Sequence, residues 1–179
     1  MMENDDIISW SKDYFLKWSD FKADPNSAVY EDSFSNVKYH HTWTVESEMI
    51  NDKIFFLISN IQLETQFLRH LSWVRLQNSS SDLLKHEQGH FDLSELMKSL
   101  FVERIKKKIN GLKFPTRGQN EEQRKQFARE DSGLIITKEL EKCFCILTDE
   151  RKKYDQETEY GQNPSKQKEY DKKFEKLRI

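Results

Sequence analysis

Leu83-Leu84-Lys85-His86-Glu87-Gln88-Gly89-His90-Phe91-Asp92-Leu93-Ser94-Glu95-Leu96 is the stretch on which the reading of this chain turns. Around it Leu83, Leu84, Glu87, His90, Phe91, Met97, Leu100, Arg104 and Ile105 recur at helical spacings. Ser79-Ser80-Ser81-Asp82 offers N-caps and Asn110-Gly111 a C-cap, so a helix over roughly residues 82–109 is predicted. On that helix His86 and His90, four positions apart, project from one face one turn from each other. Two imidazole nitrogens so placed can reach one zinc ion about 2.0–2.1 Å away. Glu87 lies beside that face, where it can take a proton from water whose pKa the metal lowers to about 7, and pass it to a leaving amine. Lone matches to such a pentapeptide arise by chance, but this one falls inside a strong helical pattern, as the chemistry requires. Gly89 costs about 1 kcal/mol in a helix interior relative to alanine, an expense that makes sense where another group must approach the backbone closely.

Upstream of this helix the pattern changes. Val37, Tyr39, His41, Trp43 and Val45 alternate with polar residues as one side of a strand; Asn51-Asp52 is a turn signal, and Ile54-Phe55-Phe56-Leu57-Ile58 reads as a second, more buried strand. Residues Glu64 to Gln77 fit a short helix or another strand, with Trp73-Val74 buried. Downstream, Asn120 with Gln123 resembles a capping box opening a helix that stops at Gly133; Leu140, Cys143, Phe144, Leu147 and Tyr154 mark a third helix, and Pro164 opens a last one carrying Tyr170, Phe174 and Leu177. Strands first and helices after predict an α+β fold: one domain over 1–179, strand-rich in 1–78 and helical in 79–179.

The chain has 179 residues, long enough for a real core, and its four Trp, six Tyr and twelve Phe argue against disorder. A net charge of −2 gives no global field toward nucleic acid or a membrane surface. Lys106-Lys107-Lys108 reads as the solvated end of the long helix, where cations suit its dipole. Cys143 and Cys145 are too close for an unstrained mutual disulfide and fall on opposite sides of a helix, Cys143 inward. His40 and His41 point to opposite faces of a strand and are expected to be structural. No run reaches transmembrane length, and the acidic start lacks the features of a signal peptide. As written the chain reads as cytoplasmic; removal of a leader would make it periplasmic or extracellular.

The metal-helix stretch closely resembles the signature of a bacterial and archaeal family described as secreted zinc-dependent proteases and long classed as a domain of unknown function. Other segments join in chain order. Trp10 with Leu16-Lys17-Trp18-Ser19-Asp20-Phe21 is similar to the family's opening, Ser72-Trp73-Val74 to the tripeptide upstream of its metal helix, and Tyr154-Asp155-Gln156-Glu157-Thr158-Glu159-Tyr160-Gly161 to its later conserved segment, with Gln167 and Tyr170 beyond. The resemblance implies a zincin-like peptidase fold, a zinc cofactor, and peptide or protein substrates. It also implies a third zinc ligand from the later segment, where this chain has Tyr160 in place of the family's histidine. A phenol with a free pKa near 10 must ionise to ligate well, so Glu157 and Glu159 are alternatives and His70 is held in reserve. Asp92, Tyr154 and Asp155 are expected behind the metal, Asp92 orienting an imidazole or anchoring the later segment, while Glu95 reads as an exposed helix charge. Three functions compete: a zinc peptidase with Glu87 as base and then acid, a non-catalytic metal- or protein-binding homologue with a degenerate third ligand, and a helical interaction module without metal.

Overall fold

The computed structural model describes residues 6–179, and these build a mixed α+β fold in which antiparallel strands precede a long helix and further helices. β1 (Ile7–Ser9) is followed by β2 (Ser33–Phe34), β3 (Val37–Ile50), β4 (Lys53–Leu68) and β5 (Trp73–Val74). α1 (Ser81–Ile109), β6 (Phe114–Pro115), α2 (Glu121–Thr158) and α3 (Pro164–Phe174) complete the order. The main sheet runs β1-β4-β3 with β6 also on β4; β2 and β5 form a separate antiparallel pair. Asn51 and Asp52 take φ values of 49° and 62°, the left-handed pair that a two-residue hairpin turn needs, so the expected strand pair closes tightly between β3 and β4. Along β3, Tyr39, His41, Trp43 and Val45 face inward while Lys38, His40, Thr42 and Thr44 are exposed, the alternation read from the sequence.

The ambiguous segment from Glu64 to Gln77 is neither one helix nor one strand. It finishes β4 at Leu68, makes a 3-10 turn at Arg69–Leu71, adds β5 and turns again at Leu76–Asn78. The expected stop at Gly133 is absent: α2 runs unbroken to Thr158, and the two helices expected there are one. Gly133 sits under the indole of Trp43, 3.5 Å from where a Cβ would lie, and Trp43 Nε1 donates to the neighbouring Ser132 hydroxyl at 2.8 Å. Packing between neighbours, rather than a chain reversal, explains this glycine.

The chain packs as two compact units. One comprises Met1–His40, Glu64–Lys98 and Leu147–Ile179, the other His41–Leu63 and Ser99–Ile146. In the first, Leu16, Phe21, Phe67, Val74 and Phe91 form a core with Trp10, Tyr14, Trp18 and Leu84 packed against it. That cluster gathers apolar residues from the opening segment, the Ser72-Trp73-Val74 segment and the start of α1. A second cluster joins Leu93, Tyr154, Tyr170 and Phe174, the last two being the stripe expected on the final helix. It fixes the end of α2 beside α1, which is what the site needs. In the second unit Ile105, Ile109, Ile136, Leu140 and Cys143 are buried, whereas Cys145 is exposed. Among the described residues no helix is long and apolar enough to cross a membrane.

Candidate metal centre

α1 begins where Ser80 Oγ accepts from the Leu83 amide at 3.1 Å, and this cap starts the helix about one and a half turns before His86. His86, Glu87 and His90 are all buried. The two imidazoles meet edge to face with centroids 4.8 Å apart, so the pair converges as the four-residue spacing demands. Both rings turn Nε2 toward one oxygen: Asp155 Oδ1 lies 2.9 Å from His90 Nε2 and 3.2 Å from His86 Nε2. Donor atoms of the three residues lie within 4.8 Å of one another, and the group could hold a metal ion. A tetrahedral ion bonded at about 2.0–2.1 Å spaces its donors roughly 3.3 Å apart, close to the 3.2 and 2.9 Å that separate Asp155 Oδ1 from the two imidazole nitrogens.

Protons on the imidazoles also fit. The single hydroxyl proton of Thr158 is spent on the Tyr154 carbonyl at 2.7 Å, so toward His86 Nδ1, 3.2 Å away, Thr158 Oγ1 accepts. His86 therefore carries its proton on Nδ1 and presents the Nε2 lone pair to Asp155 Oδ1. Two acceptors facing each other at 3.2 Å require a cation between them, either a proton or a metal. Burial, followed by the nearby charge of Arg151, pushes the His90 imidazole below its ordinary pKa, which favours the neutral, ligating form. Burial alone would raise the Asp155 carboxyl, but the facing imidazoles of His86 and then His90 outweigh it and hold the group well below the usual carboxylate range. His90 Nδ1 is buried without a hydrogen-bond partner among the described residues, so its ring is held by packing, edge-on to Tyr154 at 5.1 Å.

Tyr154 is the wall of the site. Its ring stacks on His86 at 4.7 Å and 7°, and its hydroxyl donates to the His86 carbonyl at 3.0 Å while accepting from Gln167 Nε2 at 2.9 Å. Burial pushes the phenol far above its ordinary pKa, so it stays a donor. Two glycines make this approach possible. A Cβ on Gly89 would lie 2.0 Å from the Tyr154 hydroxyl oxygen, and one on Gly161, at φ +84°, would lie 2.8 Å from His86 Cβ. The close approach anticipated at Gly89 is thus by Tyr154.

Glu87 points into a serine cradle: Ser33 Oγ donates to Oε1 at 2.7 Å, and Ser35 Oγ donates to Oε2. Ser33 and Ser35 are buried with both hydroxyls on Glu87, while Phe34 between them is 44% exposed. Arg151, one turn before Asp155 on α2, donates from a terminal nitrogen to the Ser35 carbonyl at 2.7 Å.

The residues expected near the metal are distributed unevenly. Tyr160 is 51% exposed and its ring centroid lies 6.4 Å from that of His86. Glu157 accepts from Tyr170 at 2.6 Å, Glu159 from Asn163 at 3.3 Å, and His70 pairs with Asp6 at 2.6 Å on the surface. None of the four is brought to the His86–His90 pair as Asp155 is. The helix phase explains the difference: α2 continues through Thr158, and its inward face carries Arg151, Tyr154, Asp155 and Thr158, whereas Glu159, Tyr160 and Gly161 follow in a left-handed turn. Asp92, on α1 itself, is buried, and none of its hydrogen bonds among the described residues runs to an imidazole or to the later segment. Its Oδ1 accepts from Trp10 Nε1 at 2.7 Å, Gln88 Nε2 at 3.0 Å and Arg178 at 2.7 Å, tying α1 to the opening tryptophan. Glu95, read as exposed, is half-buried and accepts from Thr65 at 2.6 Å. Ser33, Ser35, Arg151 and Thr158 were not singled out from the sequence. The Ser-x-Ser alternation and the four-residue step from Arg151 to Asp155 were the available signals.

Comparison with protein-family models found no match. Searches of curated proteins and of solved structures likewise found none.

Proposed function

We propose that this chain is a zincin-like, zinc-dependent peptidase in which His86, His90 and Asp155 hold the ion and Glu87 moves the proton. One observation carries the reading: two imidazole nitrogens on adjacent turns of α1 face a carboxylate oxygen beside a buried glutamate. Two nitrogens and one carboxylate oxygen are a donor set that zinc favours in hydrolytic sites, with a position left for water or substrate. Zinc bound there would polarise a carbonyl and make water acidic enough to lose a proton near neutral pH.

The chain's own residues do the rest. Each Glu87 oxygen accepts one serine hydroxyl and keeps a further lone pair, so Ser33 and Ser35 aim the carboxylate while leaving it able to take a proton and return it to a leaving amine. Thr158 and Tyr154 fix the His86 ring by hydrogen bond and stacking, so the ligand geometry is set before the ion arrives. Solvent reaches the centre at Asp155, whose side chain is 23% exposed, giving a peptide or protein substrate an approach.

The test is metal analysis after purification without chelator, paired with Glu87→Ala. Stoichiometric zinc in both proteins, with peptide hydrolysis only in the wild type, is the expected result. Absence of zinc from the wild type overturns the proposal. A second reading, a non-catalytic metal- or protein-binding homologue, is favoured by the serine cradle itself, because both Glu87 oxygens already hold a hydroxyl. Zinc in both proteins with hydrolysis in neither selects that reading.

A further inference from the structure

Arg151 is a cation that the arrangement above leaves underused. It stands on α2 one turn from Asp155, and among the described residues its only hydrogen bond is the one to the Ser35 carbonyl, at 2.7 Å. Its charge acts on His90, and it feels the charges of Glu87 and Asp155, yet it forms no ion pair within 4.0 Å with either carboxylate. A guanidinium has five N–H donors in a planar fork. One is committed, and its carbon lies 5.9 Å from the ring centre of Phe34, the exposed aromatic of the serine strand. Desolvating an arginine beside two carboxylates without pairing it is costly unless the fork has a further anionic partner.

We propose that Arg151 and Phe34 form a carboxylate subsite at the metal centre, the guanidinium taking the free C-terminal carboxylate of a peptide and the Phe34 ring taking its apolar terminal side chain. The subsite rests on the reading of His86, His90 and Asp155 as the reactive centre, and it deepens that reading by naming a substrate class: peptides with a free C-terminus. Bidentate recognition of a carboxylate is what the arginine fork does best, and a charged hydrogen-bonded contact in a half-buried site discriminates strongly against an uncharged analogue.

The experiment uses the full chain with zinc supplied and measures binding calorimetrically, independent of turnover. The probes are N-acetyl-Ala-Phe with a free carboxylate and the same peptide as its C-terminal amide, at a temperature and time at which cleavage is followed in parallel. The acid is expected to bind roughly tenfold or more tightly than the amide. Arg151→Gln is expected to abolish that preference, and Arg151→Lys to restore part of it, since it returns the charge without the fork. Equal binding of acid and amide by the wild type, or binding of neither, overturns the subsite without recourse to a variant. So does an acid preference unchanged in a folded Arg151→Gln protein. If the preference is present and follows Arg151 while no peptide is cleaved, the subsite stands and the peptidase reading fails; cleavage of acid and amide alike, with no difference in affinity, gives the converse.

Discussion

Replacing Gly89 by alanine sets two known effects against each other. Alanine in a helix interior is favoured over glycine by about 1 kcal/mol, so on helix propensity alone the variant gains stability. Against this, the new Cβ would lie 2.0 Å from the Tyr154 hydroxyl oxygen and 2.6 Å from Cζ, well inside any tolerable contact. Tyr154 is fully buried between His86 and the Tyr170–Phe174 cluster, so its ring has no free direction in which to retreat. Overpacking of this kind costs typically about 1–3 kcal/mol. Displacing the hydroxyl also breaks its bonds to the His86 carbonyl and Gln167, leaving buried groups unsatisfied at about 1–3 kcal/mol. Net destabilisation of about 1–5 kcal/mol is expected, which for a chain of this size lowers Tm by roughly 2–20 °C. Thermal and urea unfolding measure it. Because Tyr154 stacks on His86, zinc affinity measured by chelator competition is expected to fall in the same variant. Combining Gly89→Ala with Tyr154→Ala is expected to cost less than the sum of the two single changes, since the second removes the clash created by the first. A Gly89→Ala protein as stable as the wild type, or more stable by the helix-propensity increment, refutes this account.

Asp155→Ala removes the oxygen both imidazoles share, and zinc retained through dialysis is expected to fall below stoichiometric while the circular dichroism of the helices is kept. Thr158→Val removes the acceptor at His86 Nδ1 and is expected to weaken zinc binding about 10–100-fold, read by chelator competition. Burial, aided by the Asp20 carboxylate, raises the Tyr14 phenol from 10.0 to about 12. Between those values the unfolded chain loses a proton that the folded chain keeps, so stability is full below pH 10 and falls as pH rises toward 12. Urea titrations across that window are expected to show a steeper decline for the wild type than for Tyr14→Phe.

α1 is the most legible part of the chain because its signals are local: caps, apolar spacing and the four-residue histidine step all act within one element. The hairpin at Asn51-Asp52 was legible for the same reason. Legibility failed where a residue answers to distant partners. Gly133 carries the local mark of a helix end, but Trp43, distant in sequence, packs over it. From the sequence Asp155 reads as a supporting residue, because Tyr160 occupies the position of the resembled family's histidine. Which member of the segment faces the imidazoles depends on where α2 ends, and helix ends are the least certain feature of a sequence pattern. The serine cradle of Glu87 is hard to read because β2 has two residues, so its only signal is a single Ser-x-Ser step, too short to mark a strand.

The centre is assembled from parts that leave the ribosome at different times. Between His90 and Asp155 the chain advances 65 positions (155 − 90), about 3–13 s of synthesis at 5–20 residues per second. During that interval the nascent protein can present the histidine pair but not the carboxylate. A bare imidazole pair discriminates poorly among divalent metals and by intrinsic affinity prefers copper to zinc. If the centre holds zinc, as proposed, correct loading depends on the last turns of α2, and metal availability during translation becomes a determinant of how much of the newly made protein carries that ion.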